Sequence, residues 1–312
     1  MRSDITVVIP AHNEKSRLAP TIENIARART SGARVEFVVV DDASTDGTVA
    51  NLVSVLPRLL EEPNIEIRVE YLDERSGNYV ARNRGAEVAS ADILFMTDGH
   101  VELSPGWDEV VLRAIRPRRV LAGATLQHGT GFRSHGCKLA IPRMGTVWNS
   151  SSNGDHVQKV QIAACHATVL TRELFNELGG YDTGMILYGG GEPEFSLRAW
   201  LQGAEVVSVP GLEVHHQFKT RDEFALFLNS IRHYWVHNCL RFAVLYRSEP
   251  GCAQVIEHYS RSFPPETQQA LQLVDGSDVW ERREWLEQRR RRSFDWFIGY
   301  FGVEDETGAQ IL

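Results

Sequence analysis

Asp98 and His100 follow a predicted strand at 92–97 whose four apolar residues, 93–96, have the pattern of a strand buried on both faces. Residues two apart on an extended chain project to the same side, so this carboxylate and this imidazole could converge on one ion. Gly99 between them would leave room for a bulky ligand. The pair suits Mn²⁺, with Mg²⁺ as the alternative, and leaves coordination positions for a diphosphate. The competing interpretation is an ordinary turn after a strand.

A second source of imidazole is the sequence VHHQF at 214–218, which follows another strand-like segment. One histidine of this pair could close a metal site begun by Asp98 and His100. The alternative is that His215 and His216 are an ordinary surface pair.

A Gly-rich turn at 189–191 leads into a segment with helical spacing. The glycines could permit a tight turn, or they could let a loop close over a bound ligand and exclude water. Glu192 and Glu194 lie in the first helical turn, where acidic residues also favour the helix dipole. Arg198, in the same helix, is interpreted as a structural partner for a carboxylate.

The elements that would position these side chains alternate between strand and helix. Such alternation predicts an α/β fold with a doubly wound, mainly parallel sheet. In these sheets ligands bind beyond the carboxyl ends of the strands. Apolar strand patterns lie at 5–9, 35–42, 65–72 and 92–97, and polar clusters follow three of them at 12–14, 41–46 and 98–100.

The rest of the chain is less regular. Residues 125–159 have few apolar runs, which is typical of a functional or mobile segment. A strand pattern returns at 160–170, and from about residue 220 the spacing is helical. We therefore divide the chain into an α/β domain at 1–220, with halves at 1–100 and 101–220, and a helical extension at 221–312.

The net charge, two missing motifs and an interrupted apolar run argue against several classes of protein. The formal net charge of the 312 residues is −8, which argues against a general nucleic-acid binder. The chain has no GxxxxGK[ST] motif and no GxGxxG after the first strand pattern, so a P-loop NTPase and a dinucleotide oxidoreductase are both disfavoured. Its longest apolar run, near 224–246, is interrupted by Arg232 and Arg241 and is not expected to span a membrane.

The expected compartment is the cytoplasm. The four cysteines lie far apart without CxxC spacing and are expected to be reduced thiols. The chain enters a strand pattern almost at once, with no sign of a secretory leader. The basic run Arg289–Arg292, with Trp and Phe nearby, could contact a membrane surface or an anionic acceptor, but a solvated helix face is the favoured interpretation.

Four segments in order resemble a known family: VVIPAHNE, VVVDDASTDGT, ARNRGAEVASADILFMTDGH and GGYDTGMILYGGGEPEFSLRAWLQGAEVVSVPGLEVHHQF. Together they resemble GT-A glycosyltransferases of the family 2 type. The DxH and the later Gly-rich and His motifs are more similar to the polypeptide N-acetylgalactosaminyltransferases of family 27. The resemblance covers residues 4–220 and leaves the helical extension without a counterpart.

The resemblance implies roles for particular positions. Pro10, His12 and Glu14 match the loop that wraps the uridine, Asp42 matches the carboxylate that contacts the uracil, and Arg82 matches a basic residue near the nucleotide. Gly190 belongs to the loop that would close over the donor. Asp98 and His100 match the metal pair, and His216 matches the third metal ligand, with His215 as the alternative.

Two departures from family 27 bear on the chemistry. The pattern WGGEN is YGGGE here, so Glu192 occupies the position that is an Asn there, and that is usually the catalytic Asp base in inverting family 2 relatives. A Gly-Gly beside the donor sugar is replaced by Cys165-His166.

From these residues and this resemblance we predict an enzyme that transfers a hexose or an N-acetylhexosamine from a UDP-sugar to an acceptor hydroxyl. Mn²⁺ or Mg²⁺ is the expected cofactor, and Asp98 and Glu192 are the expected catalytic residues. The DxH favours retention of anomeric configuration. The alternatives are an inverting transferase with Glu192 as base and a non-catalytic nucleotide-sugar-binding protein. The acceptor is unidentified, no nucleic-acid partner is expected, and the helical extension is a candidate homodimer contact.

Overall fold

The computed structural model describes residues 3–308 except 60, 152, 153 and 155, together with residue 311. The outermost limits of the predicted domains, residues 1 and 312, lie outside this part. The strands are β1 Ile5–Ala11, β2 Val35–Asp42, β3 Ile65–Leu72, β4 Ile93–Met96, β5 Val101–Leu103, β6 Arg119–Leu126, β7 Arg133–His135, β8 Cys137–Ala140, β9 Gly145–Trp148, β10 Gln158–Lys159, β11 Thr168–Thr171 and β12 Glu205–His216.

The helices alternate with the strands in the first half of the chain and follow one another in the last third. They are α1 Leu18–Arg27, α2 Thr48–Leu59, α3 Asn78–Val88, α4 Trp107–Ala114, α5 Arg172–Leu178, α6 Gly191–Leu201, α7 Arg221–Tyr246, α8 Glu249–Ser262, α9 Pro264–Asp275, α10 Val279–Arg289 and α11 Phe294–Phe301.

One large sheet runs through the molecule in the order β10-β12-β6-β11-β4-β1-β2-β3. The pairs among β4, β1, β2 and β3 are parallel, as the sequence predicts. β11 is antiparallel to both of its neighbours, and β12 returns parallel to β6. The predicted α/β fold is confirmed, and the antiparallel β11 makes the second half of the sheet mixed.

Helices cover both faces of the sheet, because the central strands are apolar on both sides. Alternate residues of β1 belong to different clusters: Ile5, Val7 and Ile9 pack with α1, α2 and α4, whereas Val8 packs with α3 on the other face. All eight residues of β2 are buried, which is typical of a strand enclosed between two helical layers. The polar ends of these strands therefore emerge together at one edge.

Two expectations for the second half are corrected. The strand expected over 160–170 begins only at Thr168, and Cys165–Ala167 form a short 3-10 turn before it. The described residues of 125–159 are more structured than expected, because β7 pairs antiparallel with β6 and β8 pairs with β9 as a separate hairpin. This hairpin stands beside the strand ends.

The helical extension shares its core with the sheet. Val236 and Phe242 of α7 and Phe297 of α11 are fully buried in the same apolar cluster as Phe195 and Trp200 of α6. The boundary proposed at residue 220 therefore separates the α/β part of the chain from its helical part, and the two parts share one apolar core. α7 begins at a capping box, in which Thr220 and Glu223 satisfy each other's backbone N–H groups.

The structure describes three features that the sequence singled out: the apolar helices, the cysteines and the basic run at 289–292. Among the described residues, none of the helices combines the length and the apolar character that a membrane crossing requires. All four cysteines are free. In the basic run at 289–292, Arg289 lies over the ring of Trp285 and Arg292 over that of Trp296, so two of its cations pack against aromatic rings of the extension itself.

A buried ion pair ties the loop before α6 to the helical extension. The guanidinium of Arg241 on α7 donates to both carboxylate oxygens of Asp182, over 2.8 and 3.0 Å. Arg241 is fully buried and also reaches the exposed carboxylate of Asp278 at 2.8 Å. Burial alone would raise the pKa of Asp182, but the hydrogen bonds and the charge of Arg241 hold it below its ordinary value.

We expect Asp182→Asn to lower the free energy of unfolding by about 3 kcal/mol at pH 7, because a buried guanidinium loses its bidentate carboxylate. A carboxylate with a lowered folded-state pKa stabilises the fold above its unfolded pKa of about 4. This contribution is lost as the pH falls further through the folded-state pKa, so wild type and variant should converge in acid. Urea denaturation at several pH values measures both effects.

The matched control is Glu257→Gln, because Glu257 pairs with Arg261 on an exposed face of α8. Exposed pairs of this kind contribute little, so this variant should unfold like the wild type. Equal stability of Asp182→Asn and the wild type at pH 7 would contradict the assigned role of the pair.

Candidate active site

A cavity of about 760 Å³ opens at the carboxyl ends of β1, β2 and β4. This volume is in the range of sites that bind small molecules and cofactors. Among the predicted site residues, Arg82 does not line it and the following do: Pro10, His12, Glu14, Asp42, Asp98, His100, Gly190, Glu192 and His216. The structure thus brings together residues that lie far apart in sequence.

Asp98 is placed by the end of β4 and held from beneath by α3. The fully buried Arg82 of α3 donates to the Asp98 carboxylate and lies 3.4 Å from the carbonyl oxygen of Thr97. Ala81 of the same helix packs on Val38 and Val40 of β2, which sets the position of the helix. Arg82 therefore acts on Asp98 from below the cavity floor.

Three groups at the cavity floor form a candidate metal centre. One ligand atom from each of Asp98, His166 and His216 lies within 4.8 Å of the other two. His216, at the end of β12, has its Nε2 3.5 Å from Asp98. Its Nδ1 is buried with no hydrogen-bond partner among the described residues. The donor set and this orphaned nitrogen fit a divalent cation.

His100 lies at the side of this centre, with its ring centroid 4.8 Å from that of His216. Its Nδ1 is 3.0 Å from a carboxylate oxygen of Glu14. Since an ionised carboxylate only accepts hydrogen bonds, Nδ1 is the donor in this contact, which leaves Nε2 as the ring nitrogen that can bind an ion. Carboxylates commonly orient metal-binding histidines in this way.

The interpretation of Gly99 as space for a ligand is corrected. A Cβ at this position would lie 3.0 Å from Cγ of Glu14. Gly99 is therefore small because the Glu14 side chain packs across it on the way to His100.

The electrostatics of the centre favour an ionised Asp98 and neutral His166 and His216 side chains. Burial alone would raise the pKa of Asp98, but the charge of Arg82 and the nearby imidazoles hold it well below its ordinary value. Burial lowers the pKa of His216, and it lowers the pKa of His166 strongly. An ionised carboxylate and neutral imidazoles are the forms in which these side chains bind metals.

The predicted nucleotide-contacting residues are held by one another. Asp42 accepts hydrogen bonds from the backbone N–H groups of Ser76 and Gly77, over 2.6 and 2.9 Å. The ring of His12 donates from Nδ1 to the carbonyl oxygen of Asp42 over 2.6 Å. Asp42 thus anchors the loop before α3, a role that the sequence did not reveal.

Glu192 begins α6 and faces the cavity. Its carboxylate accepts from the Tyr79 hydroxyl over 3.2 Å, and the same hydroxyl accepts from the backbone N–H of Gly191 over 3.0 Å. A Cβ at Gly191 would lie 2.3 Å from the Tyr79 ring, so only glycine permits this approach. Glu194 points away and forms a fully buried ion pair with Arg198.

The Gly-rich loop before Glu192 is clamped by Asn238 of α7. The Asn238 amide donates to the carbonyl oxygens of Ile186, Tyr188 and Gly189 over 2.8 to 3.0 Å. Its carbonyl oxygen accepts from the N–H of Ile186 over 2.8 Å. Helical spacing alone gave no sign of this role, because it does not identify what a polar residue on α7 faces.

An aromatic wall forms the outer side of the cavity. Trp148 from the hairpin and Phe218 after β12 lie 5.7 Å apart by ring centroid. Phe224, Phe227 and Trp235 of α7 line the same cavity. These three residues form an apolar stripe on α7 that partly faces this opening, where Phe224 is 41% exposed.

Residues 6–179, more than half of the chain, match the model of glycosyl transferase family 2. The chain belongs to this family. It is 25% identical over 310 residues to the human probable polypeptide N-acetylgalactosaminyltransferase 8, and this alignment covers 94% of this chain and 47% of that protein. The Drosophila melanogaster polypeptide N-acetylgalactosaminyltransferase 8 is 28% identical over 237 residues, or 69% of this chain and 38% of the relative. This family 2 chain spans about half the length of the curated relatives it matches.

Solved structures show the same fold. A crystal structure of GalNAc-T7 with UDP, GalNAc and Mn²⁺ matches with a TM-score of 0.74 at 21% identity, covering 96% of this chain and 57% of that one. The Staphylococcus aureus TarS fragment 1–349 in complex with UDP matches with a TM-score of 0.55 at 13% identity, over 96% and 92% of the two chains. The predicted GT-A fold of this family 2 member is confirmed.

We expect Asn238→Ala to loosen the Gly-rich loop, because the half-buried N–H of Ile186 loses its acceptor and three carbonyl groups lose their donor. An unsatisfied buried group costs about 1–3 kcal/mol, so amide hydrogen exchange across 184–192 should quicken by roughly 10-fold or more. Hydrogen-exchange mass spectrometry measures the effect. Asn229→Ala, on an exposed part of the same helix, is the control. Unchanged protection of the loop in Asn238→Ala would exclude the clamp.

Proposed function

We propose that this protein is a metal-dependent glycosyltransferase that moves a hexose or an N-acetylhexosamine from a UDP-sugar to an acceptor hydroxyl. The observation that carries the proposal is the Asp98–His216 centre at the floor of a cavity beyond the strand ends. Membership of glycosyl transferase family 2 supports the reaction class. The UDP and Mn²⁺ of the GalNAc-T7 structure support the donor and the ion.

In this proposal the donor lies across the ends of β1, β2 and β4. Pro10, His12 and Asp42 flank the uridine, and Gly190 lies in the loop that covers the diphosphate and sugar. Glu14 contributes indirectly, because its carboxylate lies 3.0 Å from Nδ1 of His100 and orients that ring. Arg82 keeps Asp98 ionised from below.

We propose that Mn²⁺, or Mg²⁺, is held by Asp98, His100 and His216. When bound, the ion supplies positive charge to the departing diphosphate. The chain contributes the negative carboxylate of Asp98, the imidazoles of His100 and His216, and a floor that is closed from beneath by Arg82.

We propose retention of anomeric configuration, with Glu192 orienting the donor sugar. The DxH favours this outcome, and the Tyr79 hydroxyl engages the Glu192 carboxylate. The alternative is inversion, in which Glu192 takes the proton of the acceptor hydroxyl. Burial raises the pKa of the Cys165 thiol well above its ordinary value, which favours the protonated, weakly nucleophilic form.

The acceptor would enter over the aromatic wall of Trp148, Phe218, Phe224 and Phe227. The names of the curated relatives favour a polypeptide hydroxyl, and a glycan hydroxyl fits the same aromatic surface.

We also propose a cytoplasmic location on the basis of the four free thiols. A further proposal is self-association through the helical extension, where Trp280 is 61% exposed.

The test of the proposed function is a donor screen with UDP-GlcNAc, UDP-GalNAc, UDP-glucose and UDP-galactose, with and without Mn²⁺. Release of UDP by slow hydrolysis requires no knowledge of the acceptor. We expect at least one donor to be hydrolysed in a reaction that EDTA abolishes. Asp98→Asn should slow it by roughly 100-fold or more, because the metal loses its only carboxylate in the centre.

Glu102→Gln provides a matched control, because Glu102 pairs with the exposed His128 away from the cavity floor. Its rate should equal that of the wild type. Tight UDP binding by calorimetry, with no turnover of any donor, would instead support a non-catalytic nucleotide-sugar-binding protein.

Glu192→Gln separates retention from inversion. If Glu192 only orients the sugar, we expect a loss below roughly 10-fold, and fresh NMR spectra should show that the released sugar keeps the configuration of the donor. General-base catalysis is worth roughly 10²–10⁴-fold, so a loss in that range with an inverted product would identify Glu192 as the base.

A further inference from the structure

We infer that His166 is a fourth protein ligand of the metal ion, beside Asp98, His100 and His216. The inference rests on the proposed metal centre and adds a residue that the family pattern does not supply, because a Gly-Gly stands there in family 27. The observation that carries it is the grouping of His166 with Asp98 and His216, with their ligand atoms within 4.8 Å of one another.

The topology of the sheet places His166 in this position. β11 is antiparallel to β4, and Thr168 pairs with Met96. His166 lies in the 3-10 turn just before this pairing begins, and Asp98 lies just after β4 ends, so both residues emerge at the same end of the paired strands. The Thr97 hydroxyl, between these strands, donates to the carbonyl oxygen of His166 over 2.8 Å and fixes the backbone there.

The ring of His166 is oriented by a second contact. Its Nε2 lies 2.9 Å from the buried hydroxyl of Thr125 on β6. Its other ring nitrogen, Nδ1, has no hydrogen-bond partner among the described residues, which leaves Nδ1 to serve as the ligand. Metal-binding histidines typically have one ring nitrogen held by the protein while the other binds the ion.

Ring contacts tie His166 to the centre rather than to an apolar core. Its ring centroid lies 4.4 Å from that of His216 and 6.1 Å from that of Trp148. The side chain is 4% exposed and lines the cavity.

This assignment changes the expected metal preference. One carboxylate and three imidazoles form a nitrogen-rich set, which favours Mn²⁺ over Mg²⁺ and favours Co²⁺ over Mn²⁺. Four protein ligands leave two positions of an octahedral ion for a diphosphate. The chain should therefore bind Co²⁺ more tightly than Mn²⁺, and Mg²⁺ most weakly.

The test is calorimetric titration of the EDTA-treated full chain, in the presence of UDP, with Mn²⁺ and Co²⁺. We expect His166→Ala to raise the dissociation constants of both ions by about 100-fold. Thr125→Val should raise them by about 10-fold, because loss of an orienting contact typically costs 10–100-fold in affinity. Pulsed EPR of the Cu²⁺-loaded protein supplies a second measurement, in which His166→Ala should lose one coupled imidazole.

His128→Ala is the matched control, because His128 is an exposed histidine of the same region that stacks on His215. Its dissociation constants should equal those of the wild type. Circular dichroism checks the fold of each variant, and Thr125→Val carries the test if His166→Ala does not fold.

The outcomes separate this inference from the proposed function. Wild-type affinity and an unchanged EPR pattern in His166→Ala, or in Thr125→Val where only that variant folds, would overturn the inference and leave the Asp98, His100 and His216 centre standing. Absence of metal binding by the wild type would overturn both the proposed centre and the fourth ligand.

Discussion

The contact between Arg82 and Asp98 is the constraint on which the site depends. A fully buried guanidinium lies beneath the end of β4 and keeps the carboxylate above it ionised. A buried cation is stable only beside a paired anion, so the fold and the charge of the cavity floor require each other. The position of α3 on β2 is thereby coupled to the electrostatics of the candidate metal centre.

A second constraint comes from the helical extension. Asn238 holds the backbone of the Gly-rich loop, and Arg241 holds Asp182 just before it. Both residues lie on α7, one helical turn apart on the same side of the helix. The loop that leads to Glu192 is therefore positioned by α7, so this helix of the extension is part of the structure that presents the candidate active site.

The histidines illustrate how far reasoning from the sequence extends. Asp98, His100 and His216 could be named because two follow a strand pattern and the third lies in a motif that resembles a known family. His166 lies in a segment that the sequence describes as strand, and nothing in its local pattern indicates that it faces Asp98. That contact exists because β11 inserts antiparallel between β4 and β6, which depends on pairing between distant segments.

The sequence alone determined the alternating elements of the first half, the strand ends at which polar residues collect and the helical character of the last third. These are local properties, because apolar periodicity and turn residues act over a few positions. Tertiary structure alone decided that Asp42 anchors a loop, that Gly99 accommodates Glu14, and that the stripe on α7 faces a cavity. Each of these depends on which distant segment lies opposite, and that is set by the packing of the whole chain.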